Sequence, residues 1–233
     1  MKLEILYEDE YMLACVKPPG VPSQADKSND EDMVTIVKNY IFDNQSSNDE
    51  PYVAMLHRLD RPVGGVMIFA KDKDTAAKLS KQQTDGDMVK YYQAVLTGEL
   101  PEEYGELSDY MVKDAKTNTS KICSKDTDGA KKAELTYELL DEFETDEGIL
   151  SYVLIKLLTG RHHQIRVQMS HLGCGVWGDT KYNIKYKNAK KGVKQIALFS
   201  SRIELEHPVT GEHLVLKKEP YGKAFDVIEM DEF

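Results

Sequence analysis

Long apolar runs are missing from this chain. No stretch approaches the ~18–20 residues that a membrane-spanning helix needs, so no membrane partner is expected. Cysteine is scarce: Cys15, Cys123 and Cys174 stand far apart. An odd, scattered set builds neither a disulfide framework nor a zinc knuckle, and it fits a reducing compartment. The opening MKLEILYEDE turns acidic at once, unlike a secretory signal, so the expected location is the cytoplasm. The glycines form neither a P-loop nor a dinucleotide fingerprint. There is no Cys-x-x-Cys, and the adjacent His162 and His163 lack the one-face spacing with which a helix supplies two zinc ligands. No metal is expected. A basic excess is missing too. The formal net charge of −10 argues against indiscriminate polyanion binding.

The charge is segregated rather than spread. Lys181, Lys185, Lys187, Lys190, Lys191 and Lys194 crowd one loop, while acids collect in 26–50, 99–109, 141–147 and the C-terminal tail. Such a loop could steer a phosphate backbone; the competing reading is a solvated charge run. With 233 residues, 41% hydrophobic and 30% charged, the chain has the make-up of a soluble globular protein able to bury a substantial core.

Period and punctuation predict the elements. Residues 3–17 read as two short strands around Glu8-Asp9-Glu10, and Pro18-Pro19-Gly20-Val21-Pro22 forces an extended turn. Helices are expected over 33–42 and over 75–83, the second capped by Asp72 or Asp74. Val66–Ala70 has the continuous apolar character of a strand buried on both faces. Strands are expected at 90–96, within 106–143, and at 149–158. A helix follows with Ile165, Met169 and Leu172 on one face and Gly173 as its stop. A hairpin around Pro208-Val209-Thr210-Gly211 closes the pattern. No repeat or linker is visible, so a single mixed α/β domain over 1–233 is the expectation.

Two stretches carry possible chemistry. In the first, His57-Arg58-Leu59-Asp60-Arg61 forms a charged turn between apolar segments, and Pro62, Gly64 and Gly65 follow it. A carboxylate near a fixed cation stays ionised and can attack an electrophilic carbon; the plainer reading is a surface ion pair of Asp60 with Arg58 or Arg61. In the second, Gly160-Arg161-His162-His163-Gln164-Ile165-Arg166 joins a strand end to a helix start. Free backbone N–H groups there suit an anion, and Arg166 could reach a carboxylate or a phosphate; the plainer reading is an ordinary connection with a solvated arginine. Tyr92, two residues after Lys90 on a strand, is either a core tyrosine or a ring that stacks on a ligand.

Taken in order, these stretches resemble the RluA-type pseudouridine synthases. His57-Arg58-Leu59-Asp60-Arg61-Pro62-Val63-Gly64-Gly65-Val66 is similar to that family's catalytic motif, although many relatives have Thr-Ser-Gly where this chain has Val63-Gly64-Gly65. Lys17-Pro18-Pro19-Gly20, Lys90-Tyr91-Tyr92-Gln93-Ala94 and Gly160-Arg161-His162-His163-Gln164-Ile165-Arg166 resemble its other motifs. Gly178-Asp179-x-x-Tyr182 and His207-Pro208-x-Thr210-Gly211 match later elements. The resemblance implies an α+β fold: a long, mixed, mostly antiparallel sheet with helices and loops on both faces and a central RNA-binding cleft. It implies isomerisation of uridine in structured RNA, ribosomal RNA first and transfer RNA second, with no cofactor. Asp60 would be the nucleophile, Arg166 the cation that keeps it ionised, and Tyr92 the ring against the uracil. Arg58 would fill the space of the flipped base. RNA contacts are expected from His57, Arg61, Arg161, His163, Lys181, Lys185 and Lys187. Many relatives carry a separate N-terminal RNA-binding domain that is not seen here, so substrate choice would rest on the domain's own loops or on a partner. A monomer is the default expectation. The rivals are a non-catalytic RNA-binding or ribosome-assembly protein on the same fold and a hydrolase with paired carboxylates. The second needs another acid beside Asp60, where the motif supplies arginines.

Overall fold

Alternating apolar residues lay most of the chain down as strands. The computed structural model describes residues 2–26, 28–146, 148–188 and 195–228, so Lys190, Lys191 and Lys194 of the lysine loop lie outside the described residues. In chain order the elements are β1 (Glu4–Glu8), β2 (Met12–Lys17), α1 (Met33–Asn44), β3 (Ala54–Met55), β4 (Gly64–Ala70), α2 (Lys73–Asp85), β5 (Val89–Thr97), β6 (Tyr104–Asp114), β7 (Thr119–Cys123), β8 (Lys131–Thr145), β9 (Gly148–Leu157), α3 (Gln164–Leu172), β10 (Leu198–Glu206) and β11 (His213–Lys217). Among the described residues this is an α+β fold, with eleven strands assigned to one large sheet beside three α-helices. The expected helices, strands and hairpins are all present. The chain divides into two compact units, Met1–Lys90 with Ser200–Pro220, and Tyr91–Phe199 with Tyr221–Phe233.

In the first unit β2 runs antiparallel to β1 and to β4, and β11 runs antiparallel to β10. Every second residue faces one core. Met12 and Ala14 of β2, Val66, Ile68 and Ala70 of β4, Ile203 and Leu205 of β10, and Leu214 and Leu216 of β11 meet Leu79 of α2 there. Each large side chain so buried contributes ~1.5–3 kcal/mol. Asp72 caps α2 by accepting from the Thr75 N–H at 2.8 Å, and Gly86 ends the helix in the left-handed region at φ 89°. Gln82 of α2 exchanges two hydrogen bonds with the Glu206 backbone, at 2.7 and 3.1 Å. The two hairpin turns are locked together as well. Asp9 accepts from the N–H groups of Tyr11 and Met12, each at 2.8 Å, and contacts His207 Nε2 at 2.7 Å. His207 Nδ1 accepts from the Thr210 N–H at 3.0 Å, so the ring proton sits on Nε2. His207-Pro208-x-Thr210-Gly211 is therefore a structural clasp.

In the second unit the strand order is β5-β9-β8-β6-β7, with β9, β8, β6 and β7 paired antiparallel in turn. α3 buries Val167 against Met111 of β6 and Ala133 of β8. Gln168 fastens the same helix, donating to Asp109 Oδ2 at 2.7 Å.

Gly65 gives the Val63-Gly64-Gly65 segment a physical account at one of its positions. It pairs with Lys17 across β2 and β4 and has φ +127°, and a Cβ there would lie 2.3 Å from the Ser200 carbonyl oxygen and 2.5 Å from the Ser200 nitrogen. Those neighbours are backbone and cannot swing away. Gly65→Ala should therefore lower stability by ~3 kcal/mol or more. Urea denaturation checks this; an unchanged midpoint would contradict the packing described.

Candidate active site

Asp60 sits on the irregular segment between β3 and β4. The Val63 N–H donates to the Asp60 carbonyl at 2.9 Å and closes a tight turn over Arg61 and Pro62. Asp60 is half-buried, and neither flanking arginine is engaged by its carboxylate. Arg61 is exposed and gives its guanidinium to the 20–30 segment: Nε donates to Gly20 O and Nη1 to Ser28 Oγ, both at 3.0 Å, and the group pairs with Asp26 at 3.5 Å and with Asp30. Arg58 is exposed, with no bonded partner for its guanidinium among the described residues. The surface ion pair that the bare sequence allowed is not formed.

Within this unit the charges of Lys17 and Asp60 act on one another; Lys17 opens the Lys17-Pro18-Pro19-Gly20 motif. All six residues of β2 are buried, Lys17 among them. Its Nζ donates to Pro18 O at 3.0 Å and to Arg61 O at 3.2 Å. The Gly20 N–H donates to that same Arg61 carbonyl at 2.7 Å. One residue before Asp60, Ser23 Oγ donates to Leu59 O at 2.7 Å and accepts from the Leu59 N–H at 3.1 Å. The backbone on both sides of Asp60 is thus held by residues 17–23. Burial pulls the Lys17 pKa down to about 7, against the opposing pull of the Asp60 charge.

His57 is 9% exposed, and neither ring nitrogen has a hydrogen-bond partner among the described residues. Burial first, and the nearby Lys90 charge second, push its pKa down to about 3, so the ring is neutral at ordinary pH. Lys90 donates to Gln83 Oε1 at 3.1 Å, and burial lowers its pKa to about 8.

The second unit holds the other candidates. Tyr92, on β5, is 7% exposed. α3 starts without a side-chain cap, and His163 before it takes a left-handed φ of 56°, uncommon for a residue with a Cβ. Gln164 Oε1 accepts from the Arg161 N–H at 3.0 Å and from Thr159 Oγ1 at 2.8 Å, and the Gln164 N–H donates to Arg161 O at 3.1 Å. Two of the N–H groups that could have met an anion are therefore taken by the protein. Arg166 is not a solvated arginine. It is 6% exposed; Nε donates to Asp179 Oδ2 at 2.7 Å and Nη2 to Asp179 Oδ1 at 2.8 Å, and its guanidinium lies 5.1 Å from the centre of the Tyr182 ring. Burial alone would raise the Asp179 carboxyl, yet Arg166 and the N–H groups of Lys181 and Tyr182 hold it below the usual range.

Tyr182 is fixed in turn. Its hydroxyl accepts from the Ser120 N–H at 2.9 Å and contacts His163 Nδ1 at 2.6 Å, while the His162 and His163 rings stack with centres 3.7 Å apart. Asp179 and Tyr182, of the Gly178-Asp179-x-x-Tyr182 segment, are the frame that orients Arg166. Arg161 is exposed and donates from Nε to Lys132 O at 2.7 Å, and Lys181 donates to Asn118 O at 2.9 Å. Lys185 and Lys187 are exposed. Among the described residues no group of three or more His, Cys, Asp or Glu side chains could hold a metal ion, and no helix is long and apolar enough to cross a membrane.

Two outcomes are expected. The unfolded chain protonates His57 below its ordinary pKa of 6.5, whereas the folded chain does so only near about 3. His57 therefore removes stability as pH falls through that window, about 2 kcal/mol between pH 7.5 and pH 5. Denaturant titrations should show this loss shrinking in His57→Gln. Separately, Ser23→Ala leaves the Leu59 N–H unsatisfied and should cost ~1–3 kcal/mol, read from the urea midpoint.

The profile of the RNA pseudouridylate synthases matches residues 11–171. A tRNA pseudouridine synthase C from Vibrio parahaemolyticus is 31% identical, covering 100% of this chain and 97% of that protein. A ribosomal large subunit pseudouridine synthase D from Xanthomonas campestris is 30% identical, covering 90% of this chain but 63% of that protein. Among solved structures, human RNA pseudouridylate synthase domain containing 4 has a similar fold, with a TM-score of 0.77 over 97% of this chain and 92% of that one, at 21% identity. The resemblance drawn from the motifs holds, and the chain belongs to the RNA pseudouridylate synthase family, a family of isomerases.

Proposed function

We propose that this protein converts uridine to pseudouridine in a structured RNA, with Asp60 as the nucleophile. Asp60 attacks ribose C1′ or the uracil ring, or assists a glycal-like route. In each case the N1–C1′ bond breaks, the base turns, and C5 bonds to C1′. C5 loses a proton and N1 gains one, so nothing is oxidised and no cofactor is required. Tyr92 packs on the uracil and helps move the C5 proton. Arg166, its charge permanent and its geometry fixed by Asp179, is the cation that keeps Asp60 ionised. Arg58, exposed and without a partner for its guanidinium among the described residues, fills the space that the flipped base leaves. His57, Arg161, His163 and the exposed Lys181, Lys185 and Lys187 contact RNA; Arg61 does so with a charge already offset by Asp26 and Asp30.

The observation that carries this reading is the Asp60 turn. Its carboxylate is engaged by neither flanking arginine, and Lys17, Gly20 and Ser23 hold its backbone on both sides. A surface ion pair needs no such frame. The target base must leave its stack, at a cost of a few kcal/mol, and loops of transfer or ribosomal RNA lower that cost. The motif resemblance implies ribosomal RNA first. The relative matched over nearly its whole length is named for transfer RNA, so transfer RNA is the first substrate to assay. A cytoplasmic monomer is the working state, and the three free cysteines fit that compartment.

Release of tritium from RNA labelled at uridine C5 tests the reaction. Wild-type protein should release it. Asp60→Asn and Asp60→Ala should fall by at least ~10⁴-fold, with RNA binding changed by less than about tenfold. Turnover by Asp60→Ala would remove the nucleophile assignment. Binding without tritium release would favour an assembly protein, and free uracil a hydrolase.

A further inference from the structure

We propose that His163 is a positioning residue for Arg166, acting through the Tyr182 hydroxyl. The inference rests on the reading that Arg166 keeps Asp60 ionised, and it names the side chains that hold that cation still. All of them belong to the second unit. Asp179 grips the guanidinium along one edge, through Nε and Nη2. A planar group held by one edge can still tilt about that edge. The Tyr182 ring, with its centre 5.1 Å from the guanidinium carbon, stands against the face and opposes the tilt. Arg166 is therefore as steady as that ring.

The ring is pinned at both ends. At its backbone end, Ser170 Oγ of α3 donates to Tyr182 O at 2.7 Å, and the Tyr182 N–H donates to Asp179 Oδ1 at 3.3 Å. At its hydroxyl end, the Ser120 N–H of β7 donates to the phenolic oxygen at 2.9 Å, and His163 Nδ1 meets the same oxygen at 2.6 Å. His163 is held in turn. Its ring stacks on His162 with centres 3.7 Å apart, and His162 Nδ1 meets Ser120 Oγ at 2.8 Å. Ser120 thus anchors the tyrosine through its backbone and the histidine pair through its side chain. Ser120, Tyr182, His163 and His162 close a ring of contacts, which an RNA contact alone does not require. The positioning role uses Nδ1 and is separate from the RNA contact assigned to His163 above. Residue 163 has a left-handed backbone, and the other non-glycine residues with positive φ among the described residues are Asn29 and Asn118. Asparagine therefore suits the position. Its carboxamide puts an oxygen or a nitrogen one bond beyond Cγ, where Nδ1 stands, and can accept or donate there. Glycine suits the same backbone and removes the ring.

The test is single-turnover tritium release at saturating protein, from C5-labelled transfer-RNA and ribosomal-RNA transcripts. RNA affinity and the urea midpoint are measured on the same samples. Tyr182→Phe should slow release ~10–30-fold while affinity stays within ~2-fold, because a small misplacement of a charged group costs rate rather than binding. His163→Gly should slow release to a similar extent. The double variant should be no slower than the slower single one, because both break the same contact. His163→Asn should recover most of the wild-type rate. A histidine that only supports the fold would show neither the shared loss nor the recovery. His163→Ala replaces His163→Gly if the latter melts early. Full rate in folded Tyr182→Phe, losses that multiply in the double variant, or His163→Asn as slow as His163→Gly overturns the inference and leaves the isomerase reading intact. No release by wild-type protein from either RNA overturns both.

Discussion

A buried amine holds the Asp60 turn. Lys17 reaches the Arg61 carbonyl from the end of β2, and that contact depends on almost everything else in its unit. The β1–β2 hairpin and the Asp9–His207 clasp set the position of β2. The absence of a side chain at Gly65, directly across from Lys17, lets β4 lie against the Ser200 backbone. The Lys17 ammonium donates to carbonyls of residues 18 and 61, while Ser23 holds Leu59. A side chain on a loop is only as well placed as the backbone beneath it, and here that backbone is tied on both sides of Asp60, at Leu59 and at Arg61.

The two units solve the problem of a buried cation differently. Arg166 cannot give up its proton, so its unit supplies a carboxylate in fork-to-fork geometry and an aromatic face. Removing Asp179 would take away that fork. Lys17 can give up its proton, and its frame is made of carbonyls, which accept from an ammonium or from a neutral amine alike. Burial, against the opposing pull of the Asp60 charge, brings the Lys17 pKa down to about 7. Arginine serves where charge must persist, and lysine where donors are needed but charge can be relieved.

Much of the fold could be read locally. Helix α1, the β10–β11 hairpin and the strand at Val66–Ala70 follow from periodicity, and Asp72 and Gly86 follow from capping chemistry. Asp60, Tyr92 and Arg166 stood out through motif order. What stayed hidden were side chains whose meaning comes from distant partners. Lys17 ends an apolar strand, which reads as a solvent-facing stop until the turn at residue 61 covers it. Asp179 sits in a Gly-Asp turn whose local chemistry explains it without Arg166. His57 is expected from the resemblance as an RNA contact, but its burial is not legible, because burial of a single side chain leaves no periodic trace. The lysine in a strand of uninterrupted apolar residues was the one available signal, since such a residue needs an internal partner.

The unit that holds Asp60 is built from two stretches of chain, Met1–Lys90 and Ser200–Pro220. The ribosome must therefore make the whole intervening segment before β10 and β11 can complete the core around Met12, Val66 and Leu79. At ~5–20 residues per second that delay lasts several seconds. During it β4, buried along its whole length in the finished fold, waits without its later neighbours. The core of the unit that carries the Asp60 turn is thus closed late, although the residues that hold the turn itself, Lys17, Gly20 and Ser23, are made early.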